Sequence, residues 1–232
     1  MRKIAKVEIK GTIIPNDYKW YYDLFDMDST SPKDVQTAID AAGGAELEVY
    51  INSGGGSIDA GSEIYTLLRS YQGGIKIYIT GVAHSAASVI AMAGYSEMSP
   101  TALMMVHCVS VAGVSGNHNE LQKRVEMLEA ADQALCTAYM EKAGMTQAQA
   151  LELMEKETWL TAEQAKNRGM VDKVMFEGTG ETAFDMVAGT SWLPSKEQME
   201  AAKNLVAKKE ETVLFDQEKA QAELNLLSLG GK

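Results

Sequence analysis

The chain has 232 residues and a mass of 25.1 kDa, enough for one substantial domain and a smaller appendage. With 46% hydrophobic and 23% charged residues it has the composition of a soluble globular protein, and no apolar run approaches the roughly 20 residues of a membrane-spanning helix. The formal net charge of −11 argues against a broad nucleic-acid-binding surface.

The two cysteines, Cys108 and Cys136, have neither metal-binding nor redox spacing. Charged residues interrupt the apolar ones from the start of the chain, so the amino terminus does not resemble a secretory signal. Because unpaired cysteines without such a signal are typical of a reducing compartment, we expect a cytoplasmic protein. We expect neither a metal nor a cofactor.

Strand-like and helix-like segments alternate along the first 176 residues, which predicts an α/β domain with a largely parallel sheet. A polar and aromatic insertion follows the first strand, and its Pro, Asn, Asp and Ser content predicts a loop over 14–34. The predicted strands cover residues 3–13, 46–52, 74–80, 102–109 and 171–176. The predicted helices cover residues 31–42, the part of 53–71 that follows the glycines, 85–94, 117–142 and 147–157.

The composition changes after residue 176. Residues 177–194 are predicted to form a loop, and Ser195, a good helix cap three residues before Gln198, begins a helical tail. This tail is too short to build a core of its own. We therefore divide the chain into a compact domain, residues 1–178, and a linker with a helical carboxyl-terminal extension, residues 179–232.

The segment GVAHSAAS places Ser85 where a predicted strand passes into a short helix. Backbone N–H groups and the helix dipole favour developing negative charge at such a position. Small neighbours at Ala83, Ala86 and Ala87 would let a substrate backbone approach closely, although small residues also permit close helix packing. Ser88 lies one helical turn further on and is predicted to be buried and structural. Ser85 is therefore a candidate nucleophile, which requires a base and oxyanion donors.

Only three histidines are available as the base. His107 ends the strand that follows the Ser85 helix, so the two side chains could meet at one edge of the sheet. His84 adjoins the serine, and its side chain should point elsewhere because neighbouring strand positions diverge. His118 opens the long predicted helix among polar residues, where a solvated position is expected. His107 is the candidate base, although a lone histidine at a strand end often has a structural role.

The glycines of INSGGGSIDAG follow another predicted strand. No Lys-Ser or Lys-Thr pair follows them, which argues against a P-loop, and their spacing differs from that of a dinucleotide-binding fingerprint. Flexible backbone at this strand end could instead offer an N–H group to an oxyanion and lie along an extended peptide.

Four segments, INSGGGSIDAG, GVAHSAAS, LMMVH and WLTAEQAKNRGMVD, occur in the order and spacing of ClpP-type serine peptidases, and the resemblance covers about residues 3–176. It implies a ClpP/crotonase-like α/β superhelix of ββα units, in which the helix over 117–142 resembles the handle by which ClpP rings stack. It also implies that Ser85 is the nucleophile and His107 its general base. The backbone amides of Gly55 and Ala86 fall where this family forms its oxyanion hole.

The sequence departs from the family pattern at the third member of the triad, and Gly54 occupies the usual proline position. Where the family has an Asp-Thr pair, the segment MEKETWLTA has no aspartate. Glu157, followed by Thr158, is the favoured orienting carboxylate, and Glu155 is the alternative. Either glutamate could instead be a solvated residue at a helix end.

The short ETW version of this segment and the tail rich in lysine, glutamate and leucine resemble ClpP-type peptidases encoded beside phage capsid genes. That resemblance implies an ATP-independent serine endopeptidase, a prohead protease that cuts scaffold or capsid precursors. Such an enzyme would act in the host cytoplasm or inside the assembling shell.

Two alternatives stay open on the sequence alone. A degenerate peptidase could serve as an assembly or scaffold factor, since the aspartate is missing and the tail is long. A crotonase-like acyl-CoA enzyme would also use paired amides, but the pairing of Ser85 with His107 and the lack of a basic nucleotide-phosphate site argue against it.

In every case the apolar stripe of the helix over 117–142 predicts a homo-oligomer, and the resemblance implies that this oligomer is a ring. An unfoldase partner stays open; no nucleic-acid or membrane partner is expected.

Overall fold

The computed structural model describes residues 4–177, which belong to one compact unit. Residues 1–3 and 178–232 lie outside the described range, and with them the predicted linker and helical extension.

Eight strands form one sheet within the described range: β1 (Ile4–Ile13), β2 (Ser29–Thr30), β3 (Glu46–Gly56), β4 (Ile75–His84), β5 (Tyr95–Met98), β6 (Leu103–Val106), β7 (Thr158–Thr161) and β8 (Lys173–Val174). Their spatial order is β2-β1-β3-β4-β5-β8, and β6 pairs with β4 and with β7. Every pairing is parallel except that of β6 with β7. The predicted α/β class with a largely parallel sheet is confirmed.

Helices connect these strands, and side-chain caps explain where the main ones begin. The Ser31 hydroxyl accepts the N–H of Asp34, and Pro32 occupies the first helical position. Asn117 caps the longest helix by accepting two backbone N–H groups. The helices are a 3-10 turn (Asn16–Tyr18), α1 (Lys19–Leu24), α2 (Pro32–Ala42), α3 (Ile58–Ser70), α4 (Ala86–Ala91), α5 (His118–Ala143), α6 (Gln147–Glu155) and α7 (Ala162–Asn167).

One face of the sheet forms the core. Val49 and Ile51 of β3 and Ile77 and Ile79 of β4 are fully buried, together with Ile64 of α3. Because side chains alternate between faces along a strand, the intervening positions carry charged residues and tyrosines. Helices thus cover one face of β3 and β4, and this covering brings α3 and α4 against the carboxyl ends of the same strands.

The insertion over 14–34 is not the continuous loop predicted from its composition. It contains the 3-10 turn, α1 and the short strand β2, which pairs with the end of β1. Two large apolar side chains of α1 are exposed, Trp20 by 67% and Leu24 by 69%. The sequence shows no apolar periodicity for α1, because this helix buries no residue in the core.

Strand β4 is longer than the predicted strand, which ended at Thr80. It continues through Gly81 to His84 because the Asn52 carboxamide packs against the Gly81 backbone, in the space that a side chain would occupy. A Cβ added at Gly81 would lie 2.3 Å from Asn52 Oδ1. The same oxygen accepts the N–H of Val82 at 3.1 Å. This extension carries the chain directly into Ser85.

Candidate active site

Ser85 lies at a sharp turn between β4 and α4. Its backbone angles are φ 54° and ψ −125°, a combination that L-residues rarely adopt. The preceding parallel pairing aligns His84 with Met105 of β6, and the Ser85 N–H donates to the Met105 carbonyl at 2.8 Å. The turn therefore presents the Ser85 side chain at the carboxyl end of the sheet, beside the end of β6.

His107 follows β6 directly, so the pairing of β4 with β6 brings it to Ser85. The Nε2 atom of His107 lies 2.8 Å from Ser85 Oγ, a hydrogen-bonding distance. The two residues are 22 positions apart in sequence. The structure brings together the two side chains that the sequence singled out as nucleophile and base.

Gly55, at the carboxyl end of β3, forms the wall next to Ser85. Its φ is +91°, and an added Cβ would lie 2.8 Å from Ser85 Cβ, 2.6 Å from the His84 carbonyl oxygen and 3.2 Å from the Ala86 nitrogen. No side chain fits at this position, so a glycine is required both by the space and by the backbone conformation. Gly55 thus lies directly against the Ser85–Ala86 segment.

Sequence reasoning did not single out Ser53, which supports this wall. Its buried hydroxyl donates to the Gly11 carbonyl at 2.6 Å and accepts the N–H of Gly55 at 3.1 Å. The Gly55 amide therefore has an intramolecular acceptor. A serine immediately before three glycines was the signal that could have indicated this role.

The two glutamates proposed as the acid do not contact the His107 imidazole. The Glu157 carboxylate accepts the indole N–H of Trp159 at 3.4 Å, and Glu155 ends α6. Within residues 4–177, His107 has no hydrogen bond to either carboxylate. Glu157 is nevertheless close to His107 along the backbone: the last pair of the antiparallel ladder is Val106 with Thr158, and His107 and Glu157 are the residues that adjoin this pair.

Comparison with known proteins decides the family. A family model described as Clp protease matches residues 32–178, more than half of the chain. The chain belongs to the Clp protease family. It is thus a ClpP-type serine peptidase, as its four ordered motifs predicted.

Individual relatives agree with this assignment. Over 137 residues the chain is 26% identical to ATP-dependent Clp protease proteolytic subunit 1 of Chlamydia abortus and 28% identical to an ATP-dependent Clp protease proteolytic subunit of Bacteroides fragilis. Over 133 residues it is 32% identical to ATP-dependent Clp protease proteolytic subunit 1 of Streptomyces avermitilis. These matches cover 57%, 58% and 56% of this chain and 71%, 66% and 61% of the relatives.

The other two histidines of this Clp-family chain take the positions expected of them. The His84 ring packs edge-on against Trp159, 4.9 Å between centroids, and burial lowers the pKa of His84. Its Nε2 atom is buried and has no partner within the described range. His118 is the exposed first residue of α5. Of the three, His107 is the one that contacts Ser85.

The alanines around Ser85 mainly pack against neighbouring elements of the core. Ala83 and Ala87 are fully buried, and a Cβ added at Gly61 of α3 would lie 2.9 Å from Ala86 Cβ. The expectation that Ala83 and Ala87 make room for a substrate backbone is therefore wrong: they make room for neighbouring elements of the core. Ala86 lines a small cavity of about 60 Å³ that also contacts Ser85 and His107.

Other groups near this cavity do not compete for the chemistry. Burial, and after it the Asp132 carboxylate, raise the pKa of the Cys108 thiol to about 11, so the thiol is protonated at neutral pH. No His, Cys, Asp and Glu side chains between residues 4 and 177 form a group of three that could hold a metal ion. No helix in that range is long and apolar enough to span a membrane.

Proposed function

We propose that Ser85 attacks the peptide carbonyl while His107 accepts its proton. The observation that carries this proposal is the 2.8 Å contact between Ser85 Oγ and His107 Nε2. A neutral imidazole at this distance takes the hydroxyl proton as the oxygen attacks. The imidazolium then returns this proton to the leaving amine, and water releases the acyl group from Ser85 with His107 again as the base.

The backbone amides of Gly55 and Ala86 are the proposed oxyanion donors. Support comes from the close approach of the Gly55 backbone to Ser85 and Ala86, and amides directed at a tetrahedral oxyanion stabilise it most strongly where water is excluded. The Gly55 amide already donates to Ser53 Oγ, so in this proposal it is shared with, or moves to, the substrate oxygen.

Glu157 is the proposed orienting carboxylate, and Glu155 remains the alternative. Support for Glu157 comes from its position in the chain, since it precedes Thr158, which pairs with Val106, the residue before His107. In this proposal its carboxylate leaves the Trp159 indole to reach the imidazole. Glu157→Gln should lower kcat at least about tenfold with a smaller effect of Glu155→Gln. A larger effect of Glu155→Gln would assign the role to Glu155. If both variants kept the wild-type rate, neither glutamate would be the orienting carboxylate.

A hydrolysis assay tests the enzymatic proposal. We expect the purified chain to degrade fluorescently labelled casein without ATP, and Ser85→Ala and His107→Ala to lower the rate by about 10³-fold or more. His118→Ala, which changes an exposed residue at the start of α5, is the matched control and should keep the wild-type rate. A Ser85→Ala variant as active as wild type would contradict the assignment.

We further propose a ring-forming oligomer. Helix α5 buries Tyr139 in its carboxyl-terminal half, whereas Leu121, Val125 and Met127 in its first half are 41%, 46% and 45% exposed. Apolar side chains repeated along one helix favour contact with a second copy. Light scattering that detects only a 25.1 kDa species would contradict the oligomer.

The proposed biological substrate is a phage scaffold or capsid precursor, and residues 1–178 are proposed as the peptidase domain with 179–232 as an extension. Support comes from the lysine-, glutamate- and leucine-rich tail and from the family match, which ends at residue 178. The relatives are named as ATP-dependent subunits, so an unfoldase is the competing requirement.

Co-expression with a neighbouring capsid or scaffold gene tests the substrate. Precursor cleavage by the wild type and none by Ser85→Ala is the expected result. Normal precursor processing with Ser85→Ala would instead favour an assembly factor.

A further inference from the structure

A chain of buried hydrogen bonds connects α5 to the backbone of Ser85. The Tyr139 hydroxyl lies 2.8 Å from Ser88 Oγ, and Ser88 Oγ lies 2.6 Å from the Ser85 carbonyl oxygen. Ser88 is fully buried, and Tyr139 is only 2% exposed. The hydrogen bonds thus join residues 51 positions apart in sequence and end on the proposed nucleophile.

The direction of the protons follows from the chemistry of the three groups. A carbonyl oxygen can only accept, so Ser88 donates its single hydroxyl proton to Ser85. Ser88 Oγ can then only accept from Tyr139, which makes Tyr139 the donor. Burial raises the pKa of Tyr139, so this donor keeps its proton.

The Ser85 carbonyl matters because it shares a peptide unit with the Ala86 N–H. The peptide group is planar and its C=O and N–H point in opposite directions. Fixing the carbonyl on the buried side therefore fixes the direction of the Ala86 N–H on the other side, where the oxyanion would form. Hydrogen bonding to a peptide carbonyl also strengthens its N–H as a donor.

The Ser88 hydroxyl acts on this carbonyl together with the first backbone hydrogen bonds of α4. The Ser85 carbonyl also accepts the backbone N–H groups of Ser88 at 2.9 Å and Val89 at 3.4 Å. Ser85 itself has the rarely adopted combination of φ 54° and ψ −125°, which the surrounding contacts must maintain. The Ser88 hydroxyl makes the shortest of the three contacts to this carbonyl.

Helix α5 holds the histidine side of the site as well. The Asp132 carboxylate accepts the N–H of Val109 at 2.6 Å, two residues after His107. Asp132 and Tyr139 are seven positions apart, so they lie on the same face of the helix. One helix face thereby contacts the segments that carry Ser85 and His107.

We propose that Ser88 and Tyr139 are positioning residues that orient the Ala86 N–H toward the oxyanion. Both are buried, and they act through the Ser85–Ala86 peptide. This inference rests on the proposed function, since it assumes that Ser85 is the nucleophile and that the Ala86 amide is a donor.

The test uses the full chain and a fluorophosphonate, whose phosphoryl oxygen occupies the same oxyanion position. The maximal rate of Ser85 modification and the half-saturating probe concentration are measured for wild type, Tyr139→Phe, Ser88→Ala and the double variant. We expect the maximal rate to fall about tenfold or more in all three variants, since losing an oxyanion donor entirely costs about 10²–10³-fold. The half-saturating concentration should change less than about twofold.

The double variant separates positioning from stability. Ser88→Ala leaves the buried Tyr139 hydroxyl without an acceptor, and Tyr139→Phe leaves the Ser88 oxygen without a donor, whereas the double variant removes both groups. Its melting temperature should therefore return toward that of the wild type while its rate stays low. A double variant that recovers the wild-type rate, or losses confined to the half-saturating concentration, would overturn the proposal.

Tyr71→Phe is the matched control. It removes a tyrosine hydroxyl that donates to the Ala45 carbonyl, at the amino-terminal end of β3 and away from Ser85, and should leave the rate unchanged. Tyr139→Phe keeps the buried ring and reports on the hydroxyl alone if the Ser88 variants fold poorly. A wild-type chain that the probe does not modify would refute the proposed function itself, whereas a modified wild type with equally fast variants would refute only the positioning role.

Discussion

The backbone conformation of Ser85 makes an unusual stability prediction. Ser85→Gly should be more stable than Ser85→Ala, although both variants lose the hydroxyl and its contact with His107. The reason is the pair of angles φ 54° and ψ −125°, which glycine adopts without steric cost and alanine does not.

The magnitude follows from two opposing effects. A non-glycine residue held in such a region costs about 1–3 kcal/mol in the folded state. Glycine also increases the entropy of the unfolded chain, which offsets about 0.4–1 kcal/mol of the gain. We therefore expect Ser85→Gly to exceed Ser85→Ala by about 1–2 kcal/mol in free energy of unfolding, or roughly 2–8 °C in melting temperature for a chain of this size.

Urea unfolding of both variants, followed by circular dichroism, measures this difference. Ser62 provides the control because it is an exposed residue inside α3, where glycine is less stable than alanine by about 0.5–1 kcal/mol. The order of the two variants should thus be opposite at the two positions. If Ser85→Ala were as stable as Ser85→Gly, or more stable, Ser85 would not be strained and the sharp turn would be refuted.

Three further predictions concern the surroundings of this turn. Gly55→Ala should lower the free energy of unfolding by about 2–4 kcal/mol in urea titrations, because its Cβ would lie 2.6 Å from the His84 carbonyl oxygen at a φ of +91°; an unchanged midpoint would contradict the close approach. Burial lowers the pKa of His84, so as the pH falls below about 6.5 this histidine binds a proton in the unfolded chain before it does so in the folded chain. The wild type should therefore lose more free energy of unfolding than His84→Gln between pH 7.5 and pH 5. Equal losses would refute the lowered pKa of His84. Asp132→Asn should lower the pKa of Cys108 from about 11 and accelerate its alkylation by iodoacetamide at pH 9, and an unchanged rate would show that burial alone sets this pKa.

The sequence predicted the elements whose patterns are local. Alternating apolar residues predicted most of β3 and most of β4, and Pro32 with its serine cap predicted the start of α2. Helix α1 was missed because a helix that buries no residue leaves no apolar stripe. The end of β4 was misplaced because the Asn52 side chain, not a local signal, lets the strand continue through Gly81.

The same division applies to the candidate site. The order of the motifs was enough to pair Ser85 with His107, because these residues follow β4 and β6 and the two strands pair with each other. The hydrogen bond between Ser88 and Tyr139 could not be predicted, since it joins residues 51 positions apart through the packing of α4 against α5. The Glu157 carboxylate contacts the nearby Trp159 indole, and this indole packs against a tertiary neighbour, His84, which the local sequence does not reveal.

The most direct measurement of the central claim is the site of fluorophosphonate modification, located by mass spectrometry of the digested full chain. We predict one adduct per chain, on Ser85, that is absent in Ser85→Ala and strongly slowed in His107→Ala but retained in His118→Ala. A folded wild-type chain that carries no adduct, or carries it on another residue, would contradict the assignment of Ser85 and His107.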